Sequence, residues 1–211
     1  MRPALVVIAK QPVPGRVKTR LTPPCTPAQA TRLARAALLD TLAAGGRAAG
    51  AGRRVLALDG EPDGWLPAGW DVVAQRGDGL AERLAHAFAD VGGPAFLVGM
   101  DTPQVTPGQL DAGLAALARF DAVFGPATDG GYWALGLREP DPAVFARVPM
   151  SREHTGAAQR ARLDRLGLRT ADLPALLDVD DIAGARAVAA QAPASRFAAE
   201  LAAIEPSLVA A

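Results

Sequence analysis

A single cysteine, Cys25, stands in the chain, so no intrachain disulfide and no cysteine zinc cluster can form. Histidine is almost as scarce: His86 and His154 leave little material for a zinc site. Net charge is also missing. Twenty-two basic residues balance 22 acidic ones, giving a formal charge of zero at pH 7. That balance removes the broad electrostatic footprint of a nucleic-acid binder or of a protein resting on an anionic membrane. Long hydrophobic runs are lacking too. The apolar run 4–9 is far too short to span a bilayer, and it lacks the extended apolar region of a signal peptide. The expectation is a soluble, cytoplasmic protein with no nucleic-acid or membrane partner, its oligomeric state left open.

What remains is enough for a substantial core. Half of the 211 residues are hydrophobic, though only 5% are aromatic. The length suits one domain over residues 1–211, and no repeat or low-complexity linker divides it. Residues 4–9 form a continuous apolar run with β-branched members, as in a strand buried on both faces. Thr26-Pro27-Ala28-Gln29 opens a helix with a cap, a first-turn proline and a capping-box glutamine. That helix is expected to run to about Ala44 and stop at Gly45-Gly46. Strands are expected at 54–59, 70–75, 94–100, 121–126 and 133–137, with a short one at 168–173. Helices are expected at 80–91, from Thr106 to about Arg119, at 152–167 and at 181–192, with a last alanine-rich helix after Pro193. The alternation of strands and helices predicts a three-layer α/β/α domain around a mostly parallel sheet.

Four stretches carry residue types suited to chemistry. Asp101 follows the apolar strand 94–100, and Thr102-Pro103 stop that strand. In an open α/β sheet the carboxyl ends of strands form the ligand crevice. A carboxylate there suits a hard cation such as Mg²⁺; the alternative is an aspartate that only caps the next turn. After the first strand, Lys10, Arg16, Lys18 and Arg20 place four cations within eleven residues, with Gly15 between them. A phosphate site needs positive charge, backbone N–H groups and a tight approach. The glycine spacing is not that of a Walker loop, and a solvated basic loop is the bland alternative.

In 75–83, Gly77-Asp78-Gly79 join a strand to a helix. The glycines allow close approach to a flat ligand such as a base, while Asp78 equally suits a helix cap. Asp129-Gly130-Gly131-Tyr132-Trp133 combines a carboxylate, two glycines and two amphipathic rings, as a sugar or acceptor pocket requires. A plain turn into a hairpin is the alternative. Asp178 and Asp180 alternate on an extended segment and so share a side, with Asp181 placed to start the next helix. Ser151 and His154 lack a third partner for nucleophilic chemistry, and Ser151 reads as a helix cap.

Taken in order, these stretches resemble the GT-A superfamily, the nucleotide-diphospho-sugar transferase fold, over nearly the whole chain. Ala9-Lys10, Pro12 to Gly15, Lys18 to Leu21, Asp101 to Pro103, Asp129 to Tyr132 and the Asp178–Asp180 pair match a group of glycosyltransferases associated with arsenosugar and radical-SAM clusters. More distantly, Lys18 to Leu21 and Gly77 to Leu80 are similar to 2-phospholactate guanylyltransferase, although Asp181-Ile182 stand where that family has Thr-Pro.

The resemblance implies a transferase that uses an activated nucleotide with Mg²⁺ or Mn²⁺. It implies metal ligands Asp101 and Asp180, and charge-spreading cations Lys18 and Arg20. It also implies nucleotide contacts from Lys10, Gly15, Asp78 and Gly79, sugar or acceptor contacts from Gly130, Gly131, Tyr132 and Trp133, and Asp129 as a candidate base. The expected partners are a nucleotide sugar, or a nucleoside triphosphate, and a small acceptor. Glycosyl transfer is the first expectation, nucleotidyl transfer with release of pyrophosphate the second, and nucleotide binding without turnover a third.

Overall fold

A computed structural model describes residues 2–62 and 64–209. Among these residues the strands are β1 (Ala4–Lys10), β2 (Arg53–Asp59), β3 (Asp71–Ala74), β4 (Ala95–Gly99), β5 (Ala122–Pro126), β6 (Tyr132–Leu137) and β7 (Thr170–Asp172). The helices are α1 (Pro27–Arg47), α2 (Leu80–Val91), α3 (Pro107–Ala116), α4 (Thr155–Arg165), α5 (Ile182–Gln191) and α6 (Arg196–Val209), with short 3₁₀ turns at Thr19–Leu21 and Pro142–Phe145. The strands make one sheet in the order β3-β2-β1-β4-β6-β5-β7. All pairings are parallel except those of β6, which runs antiparallel to β4 and β5. The expected mixed, mostly parallel α/β/α architecture is what the chain adopts. Among the described residues no helix is long and apolar enough to cross a membrane.

The alternation of side chains along the central strands builds two core layers. Leu5 and Val7 of β1 and Phe96 of β4 face α1 and α3, meeting Leu38, Leu42, Leu110 and Leu114. Val6 and Leu97 face the other way, toward Leu84 and Phe88 of α2 and Leu163 of α4. A third cluster fixes α5 and α6 on the far side of α1 through Leu33, Val188, Phe197 and Ile204. Asp40 of α1 ties α6 down by accepting from the backbone N–H groups of Arg196 and Phe197 at 3.2 and 2.8 Å.

Both expected capping boxes form: Thr26 with Gln29, and Thr106 with Gln109. Several boundaries differ from those expected. α1 passes through Gly45-Gly46 to Arg47. Gly45 is there to let Trp70 close on the helix, since a Cβ would lie 2.8 Å from the indole. α3 stops at Ala116, not near Arg119. α4 begins at Thr155, so Ser151 is not its cap; Ser151 instead adopts a left-handed φ of 58° in the loop before it.

Gly113 of α3 lies directly over Phe96, where a Cβ would come within 2.4 Å of the ring. Gly113→Val is therefore expected to destabilise the protein by about 1–3 kcal/mol through overpacking. Urea denaturation measures this, and an unchanged midpoint would contradict the packing.

Candidate active site

The carboxyl ends of β1, β2 and β4 point to one side of the sheet, and a cleft of about 980 Å³ lies over them. Lys10 ends β1, Asp59 ends β2, and Asp101 follows β4 by one turn residue. All three line the cleft.

The cation loop is anchored by two apolar residues. Val17 is buried in the first core layer and Leu21 in the third cluster. Between them Lys18 takes a left-handed conformation, φ 50° and ψ 38°. Its ammonium reaches Asp101 Oδ1 at 2.6 Å and donates to the carbonyl of Val179. The Lys18 side chain is only 7% exposed, whereas Asp101 is 45% exposed, so Asp101 keeps an open side toward the cleft. Arg20 is far more exposed and pairs with Asp180 at 2.7 Å. Such an exposed pair contributes little stability and is free to exchange partners. Gly15 has φ +76° with nothing near the place of a Cβ, so its role is conformational rather than one of close contact within the chain.

Asp178 and Asp180 reach Asp101 from nearly 80 residues away because the segment after β7 extends the sheet. Leu173 and Leu176 donate to the carbonyls of Phe124 and Pro126, and Thr128 donates back to Leu176. Gln104 then donates to the carbonyl of Leu177 at 2.6 Å, and Val179 N donates to the Asp101 carbonyl at 3.1 Å. Val179 turns into the third cluster, leaving Asp178 and Asp180 on the cleft side. Asp178 is mostly buried, and its Oδ1 has no hydrogen-bond partner among the described residues. Burial pushes its carboxyl up to about 7, and the negative charges of Asp101, Asp129 and Asp180 add to the effect against the opposing Lys18.

At the other end of the cleft, Gly77 has φ +116°, and its missing Cβ lets Glu82 close over the loop. Asp78 does not cap α2; Gly79 occupies that position. The N–H of Asp78 donates to Glu82, and its exposed carboxylate faces the cleft. Three residues here were not anticipated from sequence. Arg83 bridges to Asp59 at 2.7 Å and donates to the Gly77 carbonyl. Gln75 donates to the carbonyls of Ala9 and Ala57, lacing β1 and β2 together at the cleft floor. Asp59 could have been found by the rule that singled out Asp101, as a carboxylate ending a buried strand.

The Asp129–Trp133 stretch differs from its expectation. Gly130 and Gly131 serve close backbone packing against the start of α4: Gly156 N donates to the Gly130 carbonyl at 2.8 Å. Asp129 Oδ1 accepts from Gly131 N at 2.8 Å and its carboxylate lines the cleft. Tyr132 is half-buried, with its hydroxyl pushed far above its usual range by desolvation. Trp133 is not a free platform for a sugar. It is 2% exposed, donates to the Pro174 carbonyl at 3.1 Å and meets Phe96 edge-on. Tyr132 packs on the α2-side layer and Trp133 in the layer under α1 and α3; both line the cleft, and Tyr132 is the more open of the two.

Among the described residues no three His, Cys, Asp or Glu side chains gather as a complete metal-binding group. Two carboxylates with an open side still fit Mg²⁺ or Mn²⁺, which take one or two protein carboxylates and complete their shell with water and phosphate oxygens. The unpartnered Oδ1 of Asp178 and the Lys18 ammonium on Asp101 mark a place that requires positive charge.

Residues 30–152 match a family described as an uncharacterized protein conserved in bacteria, DUF2064. The chain belongs to the DUF2064 family. No curated protein matches its sequence. Among solved structures, this DUF2064 chain is similar to a candidate nucleotide-diphospho-sugar transferase from Desulfovibrio desulfuricans G20. The two share 27% identity over 98% of this chain and 96% of that one, with a TM-score of 0.88. It shares the fold of CMP:2-keto-3-deoxy-manno-octonic acid synthetase complexed with CTP, at 14% identity, 92% and 99% coverage and a TM-score of 0.61. It also shares the fold of the manganese complex of Rv0371C from Mycobacterium tuberculosis H37Rv, at 22% identity, 89% and 98% coverage and a TM-score of 0.54. The fold is thus GT-A-like, shared by transferases that handle nucleotide sugars and by enzymes that bind nucleoside triphosphates.

Proposed function

We propose that this protein is a metal-dependent glycosyltransferase that moves a sugar from a nucleotide-diphospho-sugar to a small acceptor. One observation carries the reading: cations of the 10–20 loop and the carboxylates Asp101, Asp178 and Asp180 meet over the strand ends in a single cleft. A diphosphate needs both, cations for its oxygens and carboxylates to hold the divalent metal that would accompany it. The whole-length similarity to the Desulfovibrio protein, described as a candidate nucleotide-diphospho-sugar transferase, supports the choice of donor.

Asp101 and Asp178 would hold the ion, with Asp180 on the outer side where Arg20 now pairs with it. A metal held there would supply Lewis-acid neutralisation of the diphosphate leaving group. Lys18 and Arg20 share that charge through charge-assisted hydrogen bonds, and Lys10 and Arg16 line the approach. Asp78 and Gly79 face the base or ribose. The bond from the anomeric carbon to the diphosphate oxygen breaks as the acceptor oxygen forms its bond to that carbon. The acceptor proton passes to Asp129, whose carboxylate is oriented by Gly131 N.

Nucleotidyl transfer to a phosphorylated acceptor is the second reading, favoured by the fold shared with the CTP-bound synthetase. Incubation with Mn²⁺ and a panel of donors separates the two. The proposal expects a nucleoside diphosphate from a nucleotide sugar, whereas pyrophosphate from a nucleoside triphosphate would establish the second. Lys18→Ala should weaken nucleotide binding about ten- to a hundredfold, the effect of one charged hydrogen bond. Calorimetry with an unchanged dissociation constant would remove Lys18 from the phosphate site.

A further inference from the structure

The core layer on the α2 side does not close at the cleft. Leu84 and Leu97 are buried there, but Ile8, Tyr132 and Met150, packed on the same layer, remain partly open and line the cleft. Leu80 completes the lining. At 43% it is one of only two exposed large hydrophobics among the described residues, and an exposed leucine at a cleft wall is a contact waiting for an apolar partner. Gly99 makes room among them. It pairs with Ile8 in the parallel ladder and so faces the same side. A Cβ on it would meet nothing nearer than the Asp101 nitrogen at 4.0 Å. Among the residues that line the cleft, Tyr132 has its hydroxyl on the weak acceptor Sδ of Met150 at 4.0 Å. Lys18 and Arg20, by contrast, belong to the loop that leads into α1, on the opposite side of the sheet.

We infer that this hollow is an acceptor subsite for a neutral hydroxyl compound with an apolar, alkyl or aryl, body. The naming of its occupant as the acceptor rests on the transferase reading above. The body rests on Ile8, Leu80 and Met150, the space at Gly99 admits it, and the Tyr132 hydroxyl supplies one polar partner. Placed against Ile8, Leu80 and Met150, a phosphate or carboxylate would lose hydration that an apolar body does not have to give up. The rim carries both signs: Lys10 lies two residues beyond Ile8 on β1 and so on the same side, Arg152 and Glu153 line the cleft, and Arg83 is engaged by Asp59.

The test is calorimetric binding of phenol and its 4-methyl, 4-ethyl and 4-propyl derivatives, beside 4-propylphenyl phosphate, to the full chain. Affinity should rise about three- to fourfold per methylene while the hollow fills, and the phosphate should bind more weakly than the phenol of equal tail. Gly99→Val fills the hollow and Leu80→Ser strips its wall, so each should flatten the gradient while leaving the thermal midpoint near its original value. Should Gly99→Val not fold, Leu80→Ser decides alone. A flat gradient in the unaltered protein, a gradient that survives the substitutions, or tighter binding of the phosphate would overturn the subsite. Nucleotide-sugar binding is measured on the same samples. Its absence beside an intact gradient would remove the transferase reading and leave the apolar subsite standing.

Discussion

Gly130→Ala is expected to lower folding stability by more than about 3 kcal/mol, or to prevent folding. Two independent penalties meet at that position. Its φ of +90° is one that side chains rarely adopt, and a Cβ there would lie 1.7 Å from the carbonyl oxygen of Glu153. Relief requires parting the 129–131 loop from the start of α4, which breaks the hydrogen bond from Gly156 N. Gly156 has the reciprocal restriction, with a Cβ placed 2.3 Å from the Gly131 carbonyl oxygen. Gly46→Ala is the control. It is an exposed position inside α1 with nothing near its absent Cβ, so alanine should stabilise by about 0.5–1 kcal/mol. Urea denaturation of both variants checks the pair. Gly130→Ala within about 1 kcal/mol of the unaltered protein would show that the loop does not sit on α4 as described.

Asp101→Asn is expected to lower metal-dependent turnover by at least about a thousandfold while the fold persists. The amide oxygen still accepts from Lys18, so the buried ammonium keeps a partner together with the Val179 carbonyl. What is lost is the charge that faces the open side of the cleft. The effect should appear in kcat rather than in the thermal midpoint, and nucleotide binding without metal should change little. Diphosphate release assayed with and without Mn²⁺ measures it. Activity within about tenfold of the unaltered enzyme would move the metal away from Asp101.

Much of the fold could be read from local signals. Two Thr-Pro-x-Gln starts marked α1 and α3, and continuous apolar runs marked β1 and β4, because caps and fully buried strands depend on adjacent residues. Among the misplaced boundaries, the end of α1 was settled by a distant partner and the start of α4 by the loop before it. Gly45 reads as a helix stop until Trp70 is known to lie on it, and Ser151 reads as a cap until the loop before α4 is seen to turn through a positive φ.

The candidate site divides in the same way. Lys10 and Asp101 stand beside strand ends, and Lys18 lies in the loop that follows the first; a strand end can be recognised from its own sequence. The standing of Asp178 could not, because its burial and unpartnered oxygen depend on the 173–180 segment crossing the tip of β4. Trp133 was assigned to a ligand for a related reason. The sequence shows two adjacent rings, but the side each one faces is decided by the irregular β5–β6 pairing around Gly125 and Pro126.

The central claim is that nucleotide and cation bind together over Lys18, Asp101 and Asp178. The most direct test is thermal unfolding with nucleotide sugars and nucleoside triphosphates, each with and without Mn²⁺, because a ligand that binds only the folded state raises its midpoint. The account predicts that one nucleotide sugar stabilises the protein, that Mn²⁺ enlarges the shift beyond the sum of the separate effects, and that Asp101→Asn removes the enlargement. No shift with any nucleotide, metal present or absent, would contradict it.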